Sequence, residues 1–192
     1  MGSLSQLKKF VFDAILLDNE FLRLESEGIS VRSGGQEVVT ERIDKSDFSP
    51  KIIFNAQKMA SVYVVFFCLE NAVRELISER LTERHGIDWW TSSVPTKIQS
   101  SVEKLKEKEE KNKYHTSRST SLIGYTMFGN LADIIIARWE DFSDLFPNQH
   151  WISARFNDLE MSRNIIMHNG VLPEIEIERI ESIARDWIRQ VG

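Results

Sequence analysis

Apolar residues recur at helical spacing from Leu4 to about Glu25. Leu7, Phe10, Val11, Ala14, Ile15, Leu17, Leu22 and Leu24 supply one face, and most charges fall elsewhere. Gly28 then stops the predicted helix. Between Ile29 and Ile43 the pattern changes. Ile29-Ser30-Val31 and Val38-Val39-Thr40 are β-branched, and Ser33-Gly34-Gly35-Gln36 between them is turn chemistry. This predicts a small hairpin, too short for a core of its own, that would lie against helices.

Pro50 opens the longest predicted helix, which runs to about Arg84; proline suits a first turn because its missing N–H has no partner there. Val62 to Leu69 is apolar on every side, which predicts a central helix buried all round. His85-Gly86-Ile87-Asp88-Trp89-Trp90 breaks the helix. Pro95 to about Lys113 is a strongly charged helix in which Lys104, Lys106, Lys108, Lys111 and Lys113 alternate with Glu103, Glu107, Glu109 and Glu110. The pattern reads as a solvated face with i,i+4 pairs, an RNA track being the other reading. Tyr114 to Ser121 is polar and loop-like. Helix resumes from Leu131 to Phe146 and from Trp151 to about Met167. Pro173 starts the last helix, with Ile177, Ile180, Ile183, Ala184 and Ile188 directed inward. The fold class is all-α: a bundle of about six helices with a small N-terminal β-hairpin. One domain spans 1–192, with 1–46 as an extension and 50–190 as the helical core.

The 192 residues are 42% hydrophobic and 28% charged, ordinary for a globular chain able to bury a core without staples. The single cysteine, Cys68, excludes an intrachain disulfide, and its apolar setting predicts a buried structural thiol. With no signal peptide apparent, a cytoplasmic location is expected. No apolar stretch is expected to reach the ~18 residues that span a bilayer. A net charge of −5 excludes a generic polyanion binder, so any nucleic acid needs a local basic patch or a partner. Lys111, Lys113, His115 and Arg118, where the acids stop, are the candidate phosphate guides; a plain solvent loop is the alternative.

Much chemistry is missing. There is no Gly-x-x-x-x-Gly-Lys loop, no Gly-x-Gly-x-x-Gly turn and no Gly-x-Ser-x-Gly elbow. His85, His115, His150 and His168 lie far apart, and none has a Cys or second His at metal-ligand spacing. No metal and no cofactor is expected.

The run Met161-Ser162-Arg163-Asn164-Ile165-Ile166-Met167-His168-Asn169-Gly170 closes an amphipathic helix on a good stop signal. Asn164 and His168 share a face, roughly 40° apart, whereas Arg163 and His168 lie roughly 140° apart. Arg163 and His168 converge only if the helix end frays or a second copy faces the first, so the geometry favours a site shared across a dimer. The other reading is that an Arg and a His in a last turn complement the helix dipole. Glu70 follows eight apolar or aromatic residues and needs a partner. Arg74 is one turn on, and Arg163 is the second candidate. An internal ion pair and a role in positioning Arg163 both fit; Asn71 is a similar case.

Arg163-Asn164 and His168, followed by Asn169-Gly170, resemble the Arg-x(4–6)-His signature of the HEPN superfamily, the higher eukaryote and prokaryote nucleotide-binding domains. Leu69-Glu70-Asn71-Ala72-Val73-Arg74-Glu75-Leu76-Ile77 is similar to the Glu-Asn-x-x-Arg helix of the branch found beside RNA endonuclease domains and in bacterial defence proteins. Tyr125-Thr126-Met127-Phe128-Gly129-Asn130-Leu131, then Trp139 and Phe142, resemble that branch's third block. The likeness covers about residues 55–190.

The resemblance implies a metal-independent endoribonuclease acting as a homodimer. His168 would be the general base or acid at the ribose 2′-hydroxyl. Arg163 would stabilise phosphorane charge, and Asn164 would orient His168 or the phosphate. A toxin or anti-phage effector under a cognate antitoxin or defence partner follows. The alternatives are a non-catalytic nucleotide- or RNA-binding module and a regulatory subunit of a defence complex.

Overall fold

The computed structural model describes residues 47–112 and 114–191. The predicted N-terminal helix and hairpin, and Lys113, lie outside the described residues. Those described form seven helices and one 3-10 turn, with no strand among them. The order is α1 (Pro50–His85), α2 (Trp89–Ser93), α3 (Thr96–Glu110), the 3-10 turn (Leu122–Tyr125), α4 (Phe128–Ala137), α5 (Trp139–Phe142), α6 (Gln149–Met167) and α7 (Glu174–Val191).

The spine is α1, which packs on α4, α6 and α7. Its buried positions are Met59, Val62, Phe66, Leu69, Glu70, Val73, Ile77 and Leu81, steps of three and four that mark one stripe of a helix. The Val62–Leu69 run is therefore not buried all round. Tyr63, Val64, Phe67 and Cys68 are exposed, so Cys68 is no core thiol. Apolar composition raised the expectation of full burial, but the described elements that pack on α1 cover its stripe and leave Tyr63, Val64, Phe67 and Cys68 outside it. By length and composition alone α1 also holds an 18-residue window, mean hydropathy 1.6, sufficient to cross a membrane, contrary to expectation. In this structure its buried stripe lies against other helices and includes an ion-paired carboxylate.

Gly86 ends α1 with φ 78°, and its N–H donates to the Thr82 carbonyl at 2.9 Å. Trp89 and Trp90 of α2 meet edge to face, 5.7 Å between centroids. On α3, Ile98 and Val102 face inward while Glu103, Lys104, Glu107 and Lys108 stay in solvent, as a solvated face requires. The helix expected over Leu131–Phe146 starts earlier and is broken at Arg138 (φ −115°, ψ 37°). There the guanidinium donates to the carbonyls of Ser92 (2.5 Å) and Ser93 (3.0 Å) at the end of α2. A tertiary tether thus replaces continued helix.

Aromatic rings join the layers. Phe66 of α1 meets Phe128 of α4, Phe128 meets Phe156 of α6, and Phe156 meets Trp187 of α7, with centroids 5.6–6.3 Å apart. On α7 the buried residues are Ile177, Ile180, Ile183 and Trp187. Ile188, expected inward, is exposed. Trp187 takes that place because its ring also reaches Phe146, 5.3 Å away.

Candidate functional site

Glu70 sits on the inward stripe of α1 with 6% of its surface exposed. A carboxylate there is costly unless paired. It has two cationic partners. Arg74, one turn along α1, places Nη2 2.6 Å from Oε1, and Arg163 of α6 places Nε 3.3 Å from Oε2. The carboxylate thus pairs with Arg74 along its own helix and with Arg163 across on α6.

Arg74 is pinned further. Nη2 donates to the Thr126 carbonyl at 2.6 Å and Nη1 to Asn71 Oδ1 at 3.1 Å. Asn71 in turn donates from Nδ2 to the Phe67 carbonyl at 2.8 Å. Thr126 is buried and closes the 3-10 turn through its Oγ1, which donates to the Ile123 carbonyl. The segment after α3 is thereby fastened to α1. Burial draws Arg74 below the usual guanidinium value; Glu70 pulls it up, and Arg163 and Arg118 push it further down. Three guanidinium groups, those of Arg74, Arg163 and Arg118, line one cavity.

Arg118 is the third. Its Nε donates to Glu109 Oε1 at 2.6 Å, its backbone N–H donates to Glu109 Oε2 at 3.2 Å, and its charge lies 5.6 Å from the Tyr125 ring centre. Arg74, Arg118 and Arg163 line one open cavity of about 600 Å³ with Glu70 and Glu109. Three cations against two carboxylates make a locally positive pocket on an acidic chain.

Of the other basic candidates, His115 and Lys111 do not line that cavity. His115 lines a smaller cavity of about 190 Å³ with Asn112, Thr116 and Arg118, and Lys111 is exposed.

Nor do Asn164 and His168 enter the arginine cavity. Both are exposed, on a face of α6 turned away from Arg163 as their helical angles require. Their backbones are linked, His168 N–H donating to the Asn164 carbonyl at 3.1 Å. His168 is the cap residue of α6. Asn169 follows with φ 60°, its N–H on the Ile166 carbonyl (2.9 Å), and the Gly170 N–H returns to the Ile165 carbonyl (2.8 Å). This double closure is a Schellman motif, the stop expected from Asn169-Gly170. Met161 and Ile165 on α6, and Val171 just after it, are also exposed.

At the other end of α6, Asn148 Oδ1 caps the helix by accepting from the Trp151 N–H at 2.8 Å. Glu160 accepts from the Gly129 N–H at the start of α4, an acid where the helix dipole favours one. Among the described residues no three His, Cys, Asp or Glu side chains gather at metal-binding distance.

Sequence reasoning missed Glu109, Thr126, Tyr63 and Phe67 as cavity formers. Tyr63 and Phe67 had a signal: they precede Glu70 by seven and three residues, which puts them on its side of α1. Glu109 and Thr126 had none, because the loop brings them in. No curated protein and no solved structure matches the chain. The Swt1-like HEPN family model matches residues 65–192, which include the Glu70 helix, the Thr126 segment and the Arg163–His168 motif; the chain belongs to the HEPN superfamily, in its Swt1-like family.

Proposed function

We propose that the protein is a metal-independent endoribonuclease of HEPN type. Arg163 carries the reading: a guanidinium held on one side by Glu70 and lining an open, positive cavity. In the proposed reaction His168 removes the proton of a ribose 2′-hydroxyl. The 2′-oxygen attacks the adjacent phosphorus, Arg163 stabilises the added negative charge, and the bond to the 5′-oxygen breaks. The departing oxygen takes up a proton, leaving a 2′,3′-cyclic phosphate and a 5′-hydroxyl. Asn164, one turn before His168, orients that ring or the phosphate.

One chain points Arg163 and His168 in different directions, which favours a composite site in a homodimer. The apolar residues beside His168 fit a subunit contact there. The setting we infer is cytoplasmic, with RNA as substrate, no membrane, and control by a cognate antitoxin or defence-system partner. The test is purified protein incubated with mixed RNAs in excess chelator. Cleavage to cyclic-phosphate ends, lost in Arg163→Ala and His168→Ala, supports the reading; undiminished cleavage by both variants sinks it.

The exposure of His168 away from the arginine cavity also favours a second reading, a non-catalytic RNA- or nucleotide-binding module or partner-regulating subunit. RNA binding without cleavage, alone and with partner, is its signature.

A further inference from the structure

The cavity that holds Arg163 has a second character. Tyr63 and Phe67 form part of its wall, and 41% and 58% of their surfaces are exposed. They stand on successive turns of α1, ring centroids 6.3 Å apart and tilted by 50°. Side by side, the two exposed rings form an apolar patch on the cavity wall, and it is contiguous patches, not single exposed residues, that mark contact sites. Aromatic faces alone would suit many occupants. Here they share a cavity with Arg118 and Arg163, so its lining is both π-rich and cationic. A volume of about 600 Å³ lies within the range of small-ligand sites, roughly 300–1,000 Å³.

We propose that this cavity is a subsite for an unpaired RNA nucleotide. The base lies against Phe67 and Tyr63, and a flanking phosphate engages Arg118. The inference rests on the motif surface being an RNA site and adds the residues that hold an unpaired nucleotide there, Phe67, Tyr63 and Arg118. In an A-form duplex the base faces are stacked on one another and cannot reach a protein ring, whereas unpaired bases stack on aromatic side chains readily. Charge complementarity decides between occupants. A chain of net charge −5 that places three arginines beside two exposed rings is built for a polyanion with flat apolar groups, not for a neutral helix face. Glu109 occupies Arg118 in the free protein and is exchanged for the phosphate on binding.

The experiment uses the full chain carrying His168→Ala, so that bound RNA stays intact. Fluorescence anisotropy compares a short labelled single strand of mixed sequence with the same strand annealed to its complement. Phe67→Ala should weaken single-strand binding by roughly tenfold and leave duplex binding unchanged, while Phe67→Tyr restores it. Arg118→Ala should weaken single-strand binding and lower the slope of its salt dependence by about one. Phe67→Ala with unaltered single-strand affinity overturns the proposal, and so does equal loss for single strand and duplex. A sedimentation change in Phe67→Ala with unchanged RNA affinity overturns it too and assigns the face to a second copy of the chain. A parent that binds neither RNA ends it. Cleavage is scored separately with His168 intact. The stacking pattern without cleavage sinks the nuclease mechanism and keeps the subsite; cleavage without the pattern does the reverse.

Discussion

Arg163 on α6 meets Glu70 on α1, Nε to Oε2 at 3.3 Å, in a carboxylate shared with Arg74. The contact crosses 93 residues of sequence and makes the motif arginine part of the bundle's internal bracing. Removing the shared acid leaves two cations crowded without compensation. Glu70→Ala should therefore destabilise the fold by about 3–5 kcal/mol, and Glu70→Gln by less because it keeps shape and an acceptor. Denaturant midpoints measure this. An unchanged midpoint for Glu70→Ala would show that the pairing contributes nothing.

A composite site makes a prediction that a single-chain site does not. Arg163→Ala and His168→Ala subunits are each expected to be inactive as homodimers. Mixed and allowed to exchange, they form hybrids with one site lacking both groups and one intact. Random exchange in a two-fold dimer should restore about a quarter of parental cleavage. A mixture as inactive as its components, with hybrids demonstrated by mass, would place Arg163 and His168 of each site in one chain.

The end of α6 predicts an unusual ranking. Glycine is the usual residue in the left-handed position of a helix stop, but here Asn169 occupies it, with φ 60°. Gly170 is required for another reason. A Cβ there would lie 2.8 Å from the Ile165 carbonyl oxygen and 2.5 Å from its Cγ2. Asn169→Gly should keep the melting temperature within a degree or two, about a few tenths of a kcal/mol. Gly170→Ala should lower it, by about 1–3 kcal/mol in stability. Equal melting temperatures for the two variants would contradict the close approach.

At the far end of α1, Asp141 joins His85 (Nε2 to Oδ2, 2.7 Å) and Arg84 (Nη1 to Oδ1, 3.4 Å). Burial raises its carboxyl, but the His85 and Arg84 contacts outweigh burial and hold it below the usual aspartate value. A carboxyl depressed in the folded state stabilises above its unfolded pKa, about 3.9, and loses that contribution as pH falls through the folded value. Stability should thus drop on acidification below about pH 4, less steeply in Asp141→Asn. Melting curves from pH 6 downward check the slope; identical slopes would remove Asp141 as a cause.

Much of this arrangement was legible in local pattern. Proline starts, apolar runs, charge alternation and helical spacing marked α1, α3, α6 and α7, because each of these signals is written within one segment. Glu70 announced a partner by being a carboxylate in an apolar run. The divergence of Arg163 from His168 followed from residue spacing alone, since a helix sets those angles whatever surrounds it. Three things needed the tertiary structure. The run Val62–Leu69 is apolar on every side, yet which side is covered depends on where α4, α6 and α7 lie. The break at Arg138 comes from carbonyls of Ser92 and Ser93, some 45 residues away. Arg118 looked like one of four loop cations, and only the closure of that loop on Glu109 and Tyr125 turns it into the arginine cavity. Sequence alone determined the helices and the chemical groups they carry, because those rest on near-neighbour geometry. Tertiary structure decided which groups share a cavity, because that depends on contacts between segments far apart in the chain.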